Sequence, residues 1–173
     1  MNSRVLHNIL RFIILILIQG LFLMGLTIDN GILIHMNIII YPLAILLLPV
    51  NTPKFVQLLS AFLLGIAIDF FYNSPGVNAA TCVLLAFSRS FLLNRLEPRG
   101  GYNVDSVLTL SQYGFKWFIT YSSIFMGAFL LVLFSIQQFT FVFIHLILLK
   151  TILSFIISML FIVVYMFLFN PKE

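Results

Sequence analysis

FVQLLSAFLLGIAIDFFY (residues 55–72), NSPG (73–76) and VNAATCVLLAFSRSFLL (77–93) decide how this chain folds. The first and third stretches are apolar runs of 18 and 17 residues. As helices they are long enough to cross the hydrocarbon layer of a membrane. The four residues between them are turn formers. A connection that short makes the two helices antiparallel neighbours. The same alternation of apolar run and short break continues in both directions. Toward the N-terminus come the turn PVNTPK (49–54), an apolar run over 32–48, the polar break TIDNG (27–31) and a first run over 9–26. Toward the C-terminus the longest non-apolar stretch covers 97–115 and holds Pro98, Arg99, Gly100, Gly101, Asn103 and Asp105. It is the one segment suited to a substantial loop or a short surface helix. A run over 116–134 follows, then Gln137 and Gln138, then a final run over 139–169. That last run exceeds one bilayer thickness at about 1.5 Å per residue but is too short for two crossings. It reads as one tilted helix, or a helix with an interfacial first turn.

The expected fold is therefore an all-α integral membrane protein, a six-transmembrane-helix bundle in a single domain spanning residues 1–173. Composition agrees. Of 173 residues 62% are hydrophobic and 8% charged, against about 25% charged in a soluble domain. Such a chain cannot cover a water-facing surface, and six spans leave no room for a separate soluble domain. Arg4 and Arg11 precede the uninterrupted apolar part of the first run, residues 12–26, but no small-residue cleavage pattern follows, so the run is read as a retained span.

The cations supply an independent check. Arg4 and Arg11 lie at the N-terminal end, Lys54 between spans two and three, Arg95, Arg99 and Lys116 between spans four and five, and Lys172 after span six. The three intervening loops, near Asp29, Asn73 and Gln137, carry no Lys or Arg. Cytoplasmic loops are enriched in these residues, so both termini are expected on the cytoplasmic side of the membrane. Because the basic residues sit at helix ends rather than on one face, nucleic acid is not an expected partner.

Few residues invite chemistry. Cys82 is the one cysteine, which excludes a disulfide framework and a multi-cysteine metal site. His7, His35 and His145 lack metal-ligand spacing. No catalytic signature is present, so the chain is not expected to be an enzyme and no cofactor is expected. Asp69 is an acid inside span three, and charge there is costly. Ala61, Gly65 and Asp69 share a face at spacing four, and Ala79, Cys82, Ala86 and Arg89 share a face of span four. Small residues at such spacing let helices approach closely. The expectation is that Asp69 clamps the hairpin by accepting hydrogen bonds from free N–H groups at the start of span four, with a proton or ion site as the other reading. Arg89 is expected to snorkel to the inner surface rather than to hold an anionic ligand or a lipid headgroup. Lys150, with Ser154 and Ser158, forms a polar stripe on span six that should face protein. Pairing with Asp69 and contact with a partner protein are equal alternatives for Lys150.

The order of these features resembles a known family. Gly65-Ile66-Ala67-Ile68-Asp69 followed by Ser74-Pro75-Gly76-Val77-Asn78-Ala79-Ala80 is similar to the G-x-x-x-D…P-[LG]-G-x-x-A signature of the rod shape-determining MreD proteins, with Pro75-Gly76 where Pro-Leu-Gly is usual. Leu17-Ile18-Gln19 resembles that family's Leu-Gln pair, and Pro42 followed by Leu46-Leu47-Leu48 also fits. The resemblance implies a non-enzymatic scaffold of the bacterial cell-elongation machinery. It implies MreC as a partner, with the RodA glycosyltransferase and a penicillin-binding transpeptidase of peptidoglycan synthesis beyond it. It also implies a fold like the S components of energy-coupling-factor transporters. The alternative function is accordingly the substrate-binding subunit of a vitamin transporter, which calls for an outward cavity lined by several polar and aromatic groups.

Overall fold

The computed structural model describes residues 3–24, 28–29, 35–98, 100–102, 107–138 and 144–169. Helix α1 (Ser3–Leu17) runs directly into a π-helical segment, Ile18–Leu23. Two-residue strands β1 (Ile28–Asp29) and β2 (His35–Met36) pair antiparallel, Ile28 opposite Met36. Then come a single helical turn α2 (Leu43–Leu46), the long helices α3 (Lys54–Tyr72) and α4 (Val77–Arg95), a second single turn α5 (Leu110–Tyr113), and the long helices α6 (Phe115–Gln138) and α7 (Ile144–Leu168). Four helices, α3, α4, α6 and α7, are long and apolar enough to cross a membrane. The apolar helical stretch Asn8–Leu23 is shorter. Expected features at 25–27, 30–34, Arg99, 103–106, 139–143 and 170–173, including the break around Asn30, Asn103, Asp105 and the tail cation Lys172, lie outside the described residues.

The α3–α4 hairpin forms as its sequence predicts. Pro53 precedes α3 with extended backbone (φ −55°, ψ 138°), and its carbonyl accepts from the Gln57 N–H. Asn73 ends the helix in the left-handed region (φ 49°), a conformation its short polar side chain tolerates. Gly76 at φ 82° then starts α4. Helix α4 packs in turn on α6, and α6 on α7, while α1 lies against α3.

The second span departs from expectation. In place of a helix over 32–48, residues 37–40 are extended and only Leu43–Leu46 turns as helix. Residues 38–48 are nonetheless buried throughout. The segment therefore runs through the middle of the bundle with its long helices around it. Pro42 explains part of this. Inside a helix it would remove one backbone bond and clash with the preceding turn; here it heads α2 instead, its carbonyl accepting from Ile45 and Leu46. The rest follows from packing. The extended stretch is narrower than a helix, packs fully inside the bundle, and finds side-chain partners for its peptide groups. Non-helical backbone survives at membrane depth only where protein supplies those partners.

The described residues of the 97–115 stretch, 97–98, 100–102 and 107–115, fold back onto the end of the bundle that carries Lys54, Arg95 and Lys116, the basic end. Val107, Leu108 and Thr109 are buried. Tyr102 Oη donates to the Leu93 carbonyl at 2.9 Å, and Trp117 Nε1 to the Leu96 carbonyl at 2.7 Å. These acceptors, Leu93 in the last turn of α4 and Leu96 at its C-cap, lie where helix carbonyls run short of intrahelical partners.

Candidate functional site

Three polar constellations lie inside a largely apolar bundle. The first closes the α3–α4 turn. Asp69 ends the buried face of α3 and is 9% exposed. Its Oδ1 accepts from Ser74 Oγ (2.7 Å), the Asn78 N–H (3.0 Å) and Asn78 Nδ2 (3.0 Å), and its Oδ2 accepts from the Ala79 N–H (3.0 Å). The carboxylate thus caps α4 from the neighbouring helix, with anionic oxygens beside free N–H groups where the helix dipole favours them. Tyr41 Oη donates to Asn78 Oδ1 at 2.6 Å, tying the buried segment to the clamp. One turn below, Gly65 meets Ala79: a Cβ built on Gly65 would lie 2.3 Å from Ala79 Cα. The Gly65–Ala79 crossing is therefore backbone against backbone, which sets the register that brings Asp69 over the α4 terminus. Pro75 and Gly76 form the turn and border a shallow depression there with Asp69.

The second constellation brackets the extended segment. Gln19, fully buried on the π-helical turn, donates from Nε2 to the Ile38 carbonyl (2.9 Å) and accepts at Oε1 from the Ile40 N–H (2.9 Å). It thereby pairs with the segment as a neighbouring strand would. Its Nε2 also donates to Tyr72 Oη at 2.7 Å. From the other side Ser158 Oγ accepts from the Ile39 N–H (2.9 Å) and Ser154 Oγ from the Asn37 N–H (3.2 Å). The serine stripe of α7 therefore faces protein, and its partner is backbone.

The third lies near the basic end. Arg89 is 1% exposed. It does not snorkel. Its guanidinium donates to the Leu48 carbonyl, to the Pro49 carbonyl (3.5 Å) and to Gln57 Oε1 (3.3 Å). Gln57 Nε2 in turn donates to the Ala86 carbonyl. Arg89 Nε has no partner. The cation thus terminates the buried segment by gathering its last carbonyls, and these partners are all neutral. The expectation failed because depth along α4 places Arg89 within reach of the surface, whereas the returning segment covers it.

Lys150 does not meet Asp69. Its ammonium sits 4.5 Å from the Phe134 ring centroid, a cation–π contact, while the Asp69 oxygens are taken as above. Cys82 is wholly buried against the hairpin face. Among the described residues no group of three or more His, Cys, Asp or Glu side chains could hold a metal ion.

Gln19, Tyr41, Gln57 and Asn78 carry much of this polar interior and were not singled out from sequence for these roles. The signal available was a lone amide inside each of three apolar runs. Comparison with protein-family models, with curated proteins and with solved structures finds no match to this chain.

Proposed function

We propose that the chain is a non-enzymatic membrane scaffold of the MreD type, in the inner membrane of a bacterium, binding the bitopic protein MreC and through it the RodA and penicillin-binding transpeptidase pair of cell elongation. In this reading α1 with its π-helical turn makes the first crossing and residues 37–48 the second. The four long helices make the other four, both termini are cytoplasmic, and the arrangement is akin to a transporter S component. The observation that carries the reading is the filled interior. Residues 38–48 occupy the centre of the bundle, and Gln19, Ser154, Ser158 and Arg89 are engaged with that segment's own backbone. A substrate-binding subunit needs such polar groups turned toward a cavity; here they hold the fold, which suits a protein whose work is done by its outer surface. The α3–α4 clamp around Gly65, Asp69 and Ala79 falls on the residues that carry the family resemblance.

The test is association. The chain extracted in mild detergent from its own cells should carry an MreC-type bitopic protein with it, and its deletion should disturb cell width. Saturable vitamin uptake dependent on the chain, with no such partner recovered, would replace the scaffold with the transporter subunit.

A further inference from the structure

At the basic end, a groove of about 340 Å³ runs between the start of α3 and the last turns of α4. Lys54 and Asn94 stand at its rim, Ser90 lies one turn below Asn94, and its walls are Leu58, Phe87 and Phe91. Ala86, the deepest α4 residue lining it, lies eight residues before Asn94, which at 1.5 Å per residue is about 12 Å below the rim. The groove is thus polar and cationic where the membrane meets water and apolar below, with aromatic rings exposed toward lipid.

Its electrostatics are one-sided. Lys54 is exposed on the rim, and Arg95 lies over the Phe91 ring at 5.3 Å. The floor is Gln57, whose amide is fixed between the Ala86 carbonyl and Arg89. Behind it stands the Arg89 guanidinium, a full positive charge held by neutral carbonyl and amide partners. None of the residues lining the groove is acidic; Glu97 sits beyond the end of α4 on the side of Gly101. Among the described residues no carboxylate pairs with Arg89, and a buried cation held only by neutral partners projects its field through the low-dielectric interior with little screening. The groove therefore favours an anion at the rim joined to a hydrocarbon chain.

We propose that this groove is a binding site for an anionic glycerophospholipid. Its phosphate lies between Lys54 and the Ser90 and Asn94 side chains, and one acyl chain lies along Leu58, Phe87 and Phe91. The first N–H groups of α3 point toward the same rim and add to the attraction. The site is independent of the scaffold reading, since it requires only that α3 and α4 cross a membrane.

The test uses the full-length chain in a zwitterionic detergent, with dioleoyl phosphatidylglycerol or dioleoyl phosphatidylcholine titrated in and the retained lipid counted by native mass spectrometry. Phosphatidylglycerol should be retained in preference. Lys54→Gln should weaken that retention about fivefold, the contribution of one lysine near an anionic surface. Ser90→Trp, which fills the groove, should abolish the preference. Lys116→Gln removes a charge at the same end outside the groove and should leave retention unchanged. Thermal unfolding of each variant in phosphatidylcholine shows that it is folded; Lys54 and Lys116 are both exposed. Equal retention of the two lipids would overturn the proposal, as would a loss in Lys116→Gln as large as in Lys54→Gln, which would mean diffuse surface charge.

Discussion

Replacing Asp69 separates its charge from its role as an acceptor. Three donors converge on Oδ1 and one, the Ala79 N–H, on Oδ2. In Asp69→Asn the amide oxygen takes the Oδ1 position and keeps three bonds. The amide nitrogen then faces the Ala79 N–H, donor against donor, and one backbone group is orphaned. An unsatisfied buried group costs about 1–3 kcal/mol, so Asp69→Asn should lose about that much. Asp69→Leu removes both acceptors. Ser74 Oγ and Asn78 Nδ2 already interact at 2.8 Å and retain some satisfaction in each other. The Asn78 and Ala79 N–H groups, fixed at the helix terminus, have no such recourse. Two orphaned groups bring the loss to about 2–6 kcal/mol. The assay is unfolding in detergent followed by far-ultraviolet circular dichroism and by the fluorescence of Trp117, the single tryptophan. Asp69→Asn should fall between the unaltered chain and Asp69→Leu. If Asp69→Leu unfolds with the unaltered protein, the clamp carries no stability. If Asp69→Asn equals Asp69→Leu, the negative charge rather than the set of acceptors is what the fold requires.

Other perturbations read other parts of the structure. Gly65→Leu places a side chain where even a Cβ would lie 2.3 Å from Ala79 Cα; it should cost at least about 1–3 kcal/mol by overpacking, and the same unfolding assay should rank it with Asp69→Leu. Gln19→Leu orphans the Ile38 carbonyl and the Ile40 N–H, for about 2–6 kcal/mol, whereas Ser158→Ala orphans one N–H and should cost about half as much, which a paired denaturation series checks. Cys82, wholly buried, should resist a bulky maleimide until the chain is denatured. In a Cys82→Ala background, single cysteines at Asn73 and Arg99 should react with a membrane-impermeant maleimide from opposite faces of sealed vesicles, and labelling from one face would refute the alternating topology.

The hairpin was legible because its signals are local. Apolar run, Asn73, Gly76 and the small-residue spacing through Gly65 and Ala79 all lie within about forty residues, and each acts on its near neighbours. The second span was not, because an apolar run shows burial without showing conformation. Ile38, Ile39 and Ile40 suit a strand as well as a helix, and only Pro42 argued locally against the helix. What decided the matter was spread across the chain: one amide in the first run and two serines in the last, matched to N–H and C=O groups of an extended backbone. The spacing of Ser154 and Ser158 shows that they face protein, but nothing in it says that the protein is bare peptide. The burial of Arg89 is not legible for the same reason, since it depends on where Leu48 and Pro49 return.

The bracketed segment also imposes an order on assembly. The Asp69–Ala79 clamp joins residues ten apart and can close as soon as α4 is made. The N–H groups of Asn37 and Ile39, by contrast, wait for hydroxyls 117 and 119 residues further along. If residues 37–48 make the proposed second crossing, those peptide groups have no hydroxyl acceptor within the apolar layer until α7 is inserted, and leaving them there costs several kcal/mol each. Residues 37–40 must therefore stay at the membrane surface, or borrow partners from the translocation machinery, while everything after them is translated. The centre of the bundle is the last part to enter it, so a nascent chain truncated before α7 should hold an intact α3–α4 hairpin around an empty middle.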